Sequence, residues 1–582
     1  MEQKSDRLIV LAIILLVLAS IWMIFYQLSV APLWKPEGRV AEVIREMLIR
    51  HDFLHPTSGW KPHITKPIVH YWLIVITAKL TGKLNELTIR IPSAIGAVIA
   101  IITIILLGKK LFSIDIGIIS GFLLLTTYGF ILWARCGAAD ILNLSFILIT
   151  ITWYWYWRDK PSLLPCFLFG ILLALSGQMK GLVGVAVPIL LILIDMIYAK
   201  KLKDFIKIST ILPVILGFSL YFLIFLVSSI TTHSKDFDWI SRAIHESFGR
   251  FFHPFDHKGP WWLYIEFIPI WLIPWTPIFI YALYGYIKNF KRHNYHRKWL
   301  LLSIIAIFIL FSASGSRRSY YILPILPFCT LIMADILVQI KDRFLKKDLK
   351  ESYIVLLLVQ ISIFLMIAIS FICFKSIKYH FYNELKFPYK LFDACLFTGF
   401  LILIPTIISI YALIKVKKQP KLAKILIITL LVAGFCTTSG VFCIEKPIID
   451  RLGTEKAFIL KVKTWLNKHP EVEPAYFLVG ARPRTRLSFY LNFDHPITVI
   501  RNQKDFKAFL LAHPSWLIIC VQQDEKKLVS YLHYFKIPYK ILLKEKRLSW
   551  EGYPSNIKLL LRKKYIAFYY INNKKNKIKN KR

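Results

Sequence analysis

Asp140 stands in ARCGAADILNLSF, where one long apolar run ends and the next begins. An ionised carboxylate at the centre of a helical bundle costs about 2.5–3.5 kcal/mol to insert, so such a group usually faces a cavity or a partner. A carboxylate there can orient or deprotonate an incoming hydroxyl, and Arg135 is the nearest candidate partner in the sequence. The plainer alternative is a solvated loop acid at a helix N-terminus. A second group is cationic: Arg39, Lys66, Lys180, Arg317 and Arg318 all lie in short polar links beside apolar runs. A phosphate about 4 Å from Lys or Arg gains on the order of 4 kcal/mol at an effective dielectric of about 20, which suits an anionic lipid headgroup. For any one of these cations the plainer alternative is unspecific snorkelling to lipid phosphates.

The histidines are a third group. HDFLHP carries His51 and His55, with His63 and His70 following, and HESFGRFFHPFDHKGPWWLY carries His245, His253 and His257. No cysteine or well-spaced carboxylate completes a metal set around them, so no metal site is assigned and a divalent metal has only weak support. The eight cysteines are scattered without metal spacing or an extracellular framework, as expected of core residues.

The elements that must position these groups are membrane helices. The chain has 582 residues, 56% of them apolar, and a mean hydropathy of +0.55. Its apolar runs of about 20 residues have helix length, and spanning segments must satisfy their own backbone hydrogen bonds. About 13 spans are expected by the roughly 20-residue rule, near 8–28, 91–108, 114–134, 141–157, 162–178, 181–198, 207–229, 263–287, 299–313, 321–339, 353–374, 391–414 and 424–443. The first follows MEQKSDR and is too long for a cleaved signal peptide, so it is expected to remain.

The formal charge of +41 sits mainly in short loops and at the C-terminus, with no nucleic-acid module around it. It reads as topology signals and anionic-lipid contacts. Lys4 and Arg7, Lys109 and Lys110, Arg158 and Lys160, and the clusters within 200–207, 288–298, 341–350 and 415–424 fall on alternate loops. By the positive-inside rule that side is cytoplasmic, which puts loops 29–90 and 230–262 and the C-terminal region outside. The five cations named above then lie on the outer side, where that rule predicts few.

Within 29–90, Glu37 to Ile49 has apolar residues at Val40, Val43, Met47 and Leu48 with charge between them, the pattern of a surface amphipathic helix. A second such helix is expected after Lys66-Pro67, with Ile68, Tyr71, Trp72 and Val75 as its apolar face. After Glu445 the apolar runs shorten to strand length at Tyr476 to Val479, Trp516 to Val521, Ile541 to Leu543 and Lys564 to Tyr570. They alternate with helical stretches at Thr454 to Leu466, Gln503 to Leu511 and Asp524 to Tyr534, the pattern of a small α/β domain without a Gly-rich phosphate loop. The expected division is a membrane domain over 1–445, an α/β domain over 446–570 and a basic tail over 571–582.

PEGRVAEVIREM, TKPIVHYW, the acid at Asp140, MKG at Met179 to Gly181, HKGPWWLY, and SGSRRSYYILPILP occur in an order and topology that resemble the bacterial aminoarabinose-transferase-like glycosyltransferases. These are related to the protein O-mannosyltransferases and have the GT-C fold. The resemblance covers residues 1 to about 445 well. It implies inverting transfer of a sugar from undecaprenyl phosphate to an acceptor, typically lipid A, at the outer face of a bacterial inner membrane. It places Glu37 and Asp140 among the cavity carboxylates. Arg39, Lys66, Lys180, His245, His257, Arg317, Arg318, Tyr320 and Tyr321 become candidates to bind substrate. Two departures bear on this: Pro36-Glu37-Gly38-Arg39 stands where the family usually has Pro-Asp-Glu-x-Arg, and Thr65-Lys66-Pro67 where it usually has Glu-Lys-Pro. The second removes a metal ligand, and the first leaves open which family acid Glu37 matches. Other readings are a non-catalytic relative that binds polyprenyl lipid, and a lipid transporter, although the internal repeats usual in transporters are not evident.

Overall fold

The computed structural model describes residues 2–571 apart from 64–65, 160–161, 202–207, 233–237, 250–251, 253–257, 375–388, 453–454, 479–484 and 550–560. The chain divides into two units, one of Met1–Leu28 with Ile64–Ile448 and the other of Ser29–His63 with Ile449–Arg582.

The first unit is helical. Nine of its helices are long and apolar enough to cross a membrane, or up to eleven if each of two bent pairs is one span, among the described residues. The chain is thus a polytopic helical membrane protein, with fewer straight crossings than the expected 13 or so. Two of the expected spans are broken. Ile114–Leu125 and Tyr128–Ala134 meet at 67°, and Leu263–Trp271 and Thr276–Lys288 at 120°. The second break falls where Pro269, Pro274 and Pro277 crowd one stretch, and proline removes a backbone donor and clashes with the preceding turn. Val183–Tyr198 is shorter than a straight crossing requires, and Ala139–Trp157 carries Asp140, Asn143 and a run of Trp and Tyr within its length.

Ala139–Trp157 and Leu163–Lys180 are consecutive helices that pack together as a hairpin. At its closed end, Asp195 accepts a hydrogen bond from the Tyr154 hydroxyl at 2.6 Å and pairs with Arg158 and the Tyr295 hydroxyl. A similar buried hub joins Asp335 to Tyr286 at 2.6 Å and to Arg297 through two bonds of 2.8 Å. Each buried carboxylate has a cationic and a phenolic partner, so neither charge is left uncompensated.

The second unit is α/β. Its five-stranded sheet has Glu473–Phe477 at its centre-left, parallel to Thr498–Ile500 on one side and to Trp516–Val521 on the other. Leu561–Tyr570 then pairs antiparallel with Trp516–Val521, and Lys540–Ser549 with Leu561–Tyr570. Glu455–Leu466, Thr485–Leu491, Gln503–Ala512 and Gln522–Tyr534 are its helices, and Phe477, Phe506, Trp516, Ile518, Leu532 and Phe568 form its core.

Lys35–Arg50 belongs to this second unit, which corrects the expectation of a helix lying on a membrane surface. Val40, Val43 and Met47 are buried, and so are Glu37, Glu42, Arg45 and Glu46 on its polar side. Protein covers both faces: Arg45 donates to the Phe493 carbonyl, and the Tyr490 hydroxyl accepts from the Leu33 amide at 2.9 Å. Glu46 accepts from the Thr57 hydroxyl at 2.5 Å and from the Gly59 and Trp60 amides at 2.7 and 3.0 Å. That carboxylate holds the short Thr57–Ser58 and Lys61–Pro62 ribbon closed.

Candidate functional site

Asp140 and Lys180 meet at the open end of the hairpin. Consecutive antiparallel helices bring the start of the first level with the end of the second, and Asp140 lies in the first turn of Ala139–Trp157 while Lys180 lies in the last turn of Leu163–Lys180. Each charge sits at the helix end whose dipole favours it. Lys180 Nζ lies 2.5 Å from Asp140 Oδ1, with the side chains 6% and 5% exposed. Leu163–Lys180 stops here because Gly181 takes φ 107°, and the Ser176 hydroxyl donates to the Gly184 carbonyl at 2.7 Å to close the turn. A side chain on Gly184 would collide with the Ser176 carbonyl, so the chain can reverse this tightly only with glycine there.

The expected partner Arg135 has a different role. It donates to the carbonyls of Met23, Ile24 and Tyr26 at 2.7, 3.0 and 2.8 Å, at the C-terminal end of Glu2–Phe25. The last carbonyls of a helix have no intrahelical partner, and a guanidinium fork satisfies several at once. Asp140 forms its ion pair with Lys180 instead.

An aromatic wall stands beside the pair. The Lys180 ammonium lies 4.6 Å from the Tyr321 ring centroid and 5.6 Å from that of Tyr320, within cation–π range. Tyr320 in turn packs on Trp133 at 4.4 Å, and the Arg318 guanidinium is 5.9 Å from its ring. The stretches KGPWW and SGSRRSYY come together here, since Lys258 and Ser316 form an isolated antiparallel bridge. Arg317 ties the two loops by donating to the Gly259 carbonyl at 2.7 Å and the Ser312 carbonyl at 2.9 Å. Arg317 therefore works as a strut, while Lys258 beside it is exposed.

Lys66 and His70 approach from a third element. Ile68–Thr81 starts after Pro67, and Ile68, His70, Tyr71, Ile74 and Val75 are buried while Trp72 is half-buried. His70 feels the charges of both Lys66 and Asp140. Burial first, and the Lys66 ammonium second, push its imidazole down to about 3, so the ring is neutral at ordinary pH. Sequence reasoning had grouped His70 with His51, His55 and His63. Its signal was its place in the first turn after Lys66-Pro67, which brings it into the field of the candidate cations.

Glu37 and Arg39 belong to the second unit. Glu37 Oε2 accepts from the Trp34 amide at 2.6 Å and so closes the start of its own helix, as carboxylates at a helix N-terminus do. Arg39 is exposed. His245 begins the five-residue turn His245–Gly249 and is exposed, while His253 and His257 lie outside the described residues. In HDFLHP, Asp52 pairs with His55 at 3.0 Å and with Arg50 at 2.8 Å, and it accepts from the Leu54 and His55 amides at 3.1 Å. This is a local turn. Among the described residues no group of three or more His, Cys, Asp and Glu side chains could hold a metal ion.

Residues 65–224 match the dolichyl-phosphate-mannose-protein mannosyltransferase family, a stretch that contains Lys66, His70, Asp140 and Lys180. The chain is 24% identical over 317 residues to the undecaprenyl phosphate-alpha-4-amino-4-deoxy-L-arabinose arabinosyl transferase of Pseudomonas paraeruginosa, covering 53% of this chain and 56% of that protein. It is 26% identical over 328 residues to the first enzyme of that description in Pseudomonas fluorescens, covering 54% and 58%. The chain thus matches little more than half the length of these curated relatives. The crystal structure of ArnT from Cupriavidus metallidurans bound to undecaprenyl phosphate superposes with a TM-score of 0.68 at 16% identity, over 95% of this chain and 97% of that one. In sequence the chain is thus similar to the dolichyl-phosphate-mannose-protein mannosyltransferase family over residues 65–224 and to these arabinosyl transferases over 53–54% of its length, and its fold is that of the Cupriavidus structure, the GT-C fold.

Proposed function

We propose that this protein is a membrane glycosyltransferase that moves a sugar, with inversion, from undecaprenyl phosphate to an acceptor at the periplasmic face of the inner membrane, such as lipid A or another envelope glycan. The observation that carries the reading is the buried Asp140–Lys180 pair, set against Tyr320 and Tyr321, with Asp140 and Lys66 both acting on the neighbouring His70. The names of the Pseudomonas relatives and the lipid bound in the Cupriavidus structure support a polyprenyl-phosphate donor.

The chemistry asks little of the protein. A lipid phosphate is a good leaving group once cations neutralise the charge that develops on it, and Lys66 and Arg318 are suited to that. Lys180 fixes the Asp140 carboxylate, which orients the acceptor or takes its proton. A phosphate acceptor is already anionic and needs only orientation, whereas a hydroxyl acceptor needs the base. Anionic lipids would contact the basic loops on the other side.

The test is incubation of the purified full-length protein with undecaprenyl-phosphate-linked sugars, following sugar release or transfer. Turnover supports the reading, and its absence with every donor sinks it. Binding of undecaprenyl phosphate without turnover would point to a non-catalytic lipid-binding relative. Mass spectrometry of lipid A and envelope glycans from a deletion strain against its parent would identify sugar and acceptor together.

A further inference from the structure

The reaction described above gives His70 nothing to do, yet its surroundings are those of a ligand-binding group. It lies in the first turn of Ile68–Thr81, its side chain is 0% exposed, and neither Nδ1 nor Nε2 has a hydrogen-bond partner among the described residues. Its ring packs on Tyr71 with centroids 5.5 Å apart, and Lys66 and Asp140 are the charges acting on it. Burying a polar group without a partner is unfavourable, and such groups in folded proteins nearly always have one. Apolar side chains would have filled this position more cheaply.

The ligand follows from what an imidazole requires. A neutral ring has one nitrogen that donates and one that accepts. A phosphate offers acceptors alone and can satisfy one nitrogen at most. Neighbouring hydroxyl or amino groups of a sugar offer a donor and an acceptor together. The ring also feels a cation suited to phosphate and a carboxylate suited to the acceptor, the two groups between which the proposed reaction moves the sugar. Resting on the reading of this site as one for a glycosyl phosphate, we propose that His70 is a specificity residue that reads the transferred sugar, one ring nitrogen donating to a sugar oxygen and the other accepting from a sugar hydroxyl or amino group.

The test compares the full-length protein with His70→Leu and His70→Gln in binding to two probes, undecaprenyl phosphate and undecaprenyl phosphate carrying 4-amino-4-deoxy-L-arabinose or a hexose. The expected result is that leucine weakens the sugar-bearing lipid by about tenfold or more and the bare lipid by less than about twofold. Glutamine keeps a donor and an acceptor and restores the preference to within about threefold. Leucine should also leave the melting temperature unchanged or raised, because it removes two unsatisfied polar atoms. Equal loss for both lipids, no loss for either, glutamine failing as badly as leucine, or a leucine variant that does not fold would each overturn the proposal. Binding needs no turnover, so a protein that transfers no sugar would sink the proposed reaction and leave this comparison intact. A wild-type protein that binds neither lipid overturns both.

Discussion

Lys180 and Asp140 form an ion pair of 2.5 Å between the end of one helix and the start of the one before it. Removing one member of a buried pair strands the other charge and costs about 3–5 kcal/mol, whereas replacing both by apolar groups can be neutral. Asp140→Asn and Lys180→Met should each lower the melting temperature, and the double variant Asp140→Leu with Lys180→Met should recover most of it. Activity should behave differently: Asp140→Asn is expected to lose about 10²–10⁴-fold in turnover, and the stable double variant should stay inactive. Full turnover by Asp140→Asn would remove this carboxylate from the mechanism.

Glu37 makes the contrasting case. Its carboxylate accepts from the Trp34 amide at 2.6 Å, and a glutamine oxygen can take the same bond. Glu37→Gln is therefore expected to keep turnover within about tenfold of wild type and to cost less than the roughly 1 kcal/mol of a lost cap. A loss of activity as deep as that of Asp140→Asn, with the melting temperature unchanged, would make Glu37 a catalytic residue beside Asp140, as the sequence resemblance expects.

Arg135 separates position in sequence from role. It holds three carbonyls at the end of Glu2–Phe25, and hydrogen bonds to charged groups are worth about 1.5–3 kcal/mol each. Arg135→Ala should reduce the yield of folded protein and its melting temperature, and Arg135→Lys should rescue little because an ammonium lacks the fork. The folded fraction should keep its KM. Turnover per folded molecule that drops by more than about tenfold would contradict this assignment.

Arg135 also illustrates what the sequence could convey. Apolar runs and their flanking charges were enough to place the helices, because in lipid each segment must satisfy its own backbone. The strands at Trp516–Val521 and Leu561–Tyr570 were legible from run length and alternation, whereas Thr498–Ile500 is only 3 residues long and left no pattern to see. The partner of Asp140 was misread because Arg135 is near in the chain, while Lys180 becomes near only when two helices fold back on each other. Arg317 and Arg318 looked equivalent in the sequence. Only the meeting of two loops turned Arg317 towards the Gly259 carbonyl. The burial of Lys35–Arg50 was hidden for a related reason: Glu37, Glu42, Arg45 and Glu46 gave it a polar face, and their partners are distant in the chain or belong to the helix itself.

Glu42 gives that buried polar face a pH dependence. Its two oxygens accept from Arg45 Nε at 2.9 Å and Nη2 at 3.0 Å. Burial nevertheless pushes the carboxyl up to about 7 from its ordinary 4.5, the Arg45 guanidinium pulling it back and the neighbouring Glu46 adding to the rise. A carboxyl whose value is higher in the folded state favours folding most below pH 4.5, where both states hold the proton. That contribution is lost as pH climbs from 4.5 to about 7, when the unfolded chain ionises first, and little changes above. The loss is on the order of 3 kcal/mol at 1.36 kcal/mol per pH unit of displacement. Glu42→Gln cannot ionise and keeps an oxygen for Arg45, so its stability should exceed that of wild type by a margin that widens between pH 4.5 and 7 and then levels. Thermal unfolding of both proteins across that range measures the margin directly, and other titrating groups cancel in the difference. A constant margin, or one that narrows as pH rises, would mean that Glu42 is ionised throughout and that Arg45 outweighs its burial.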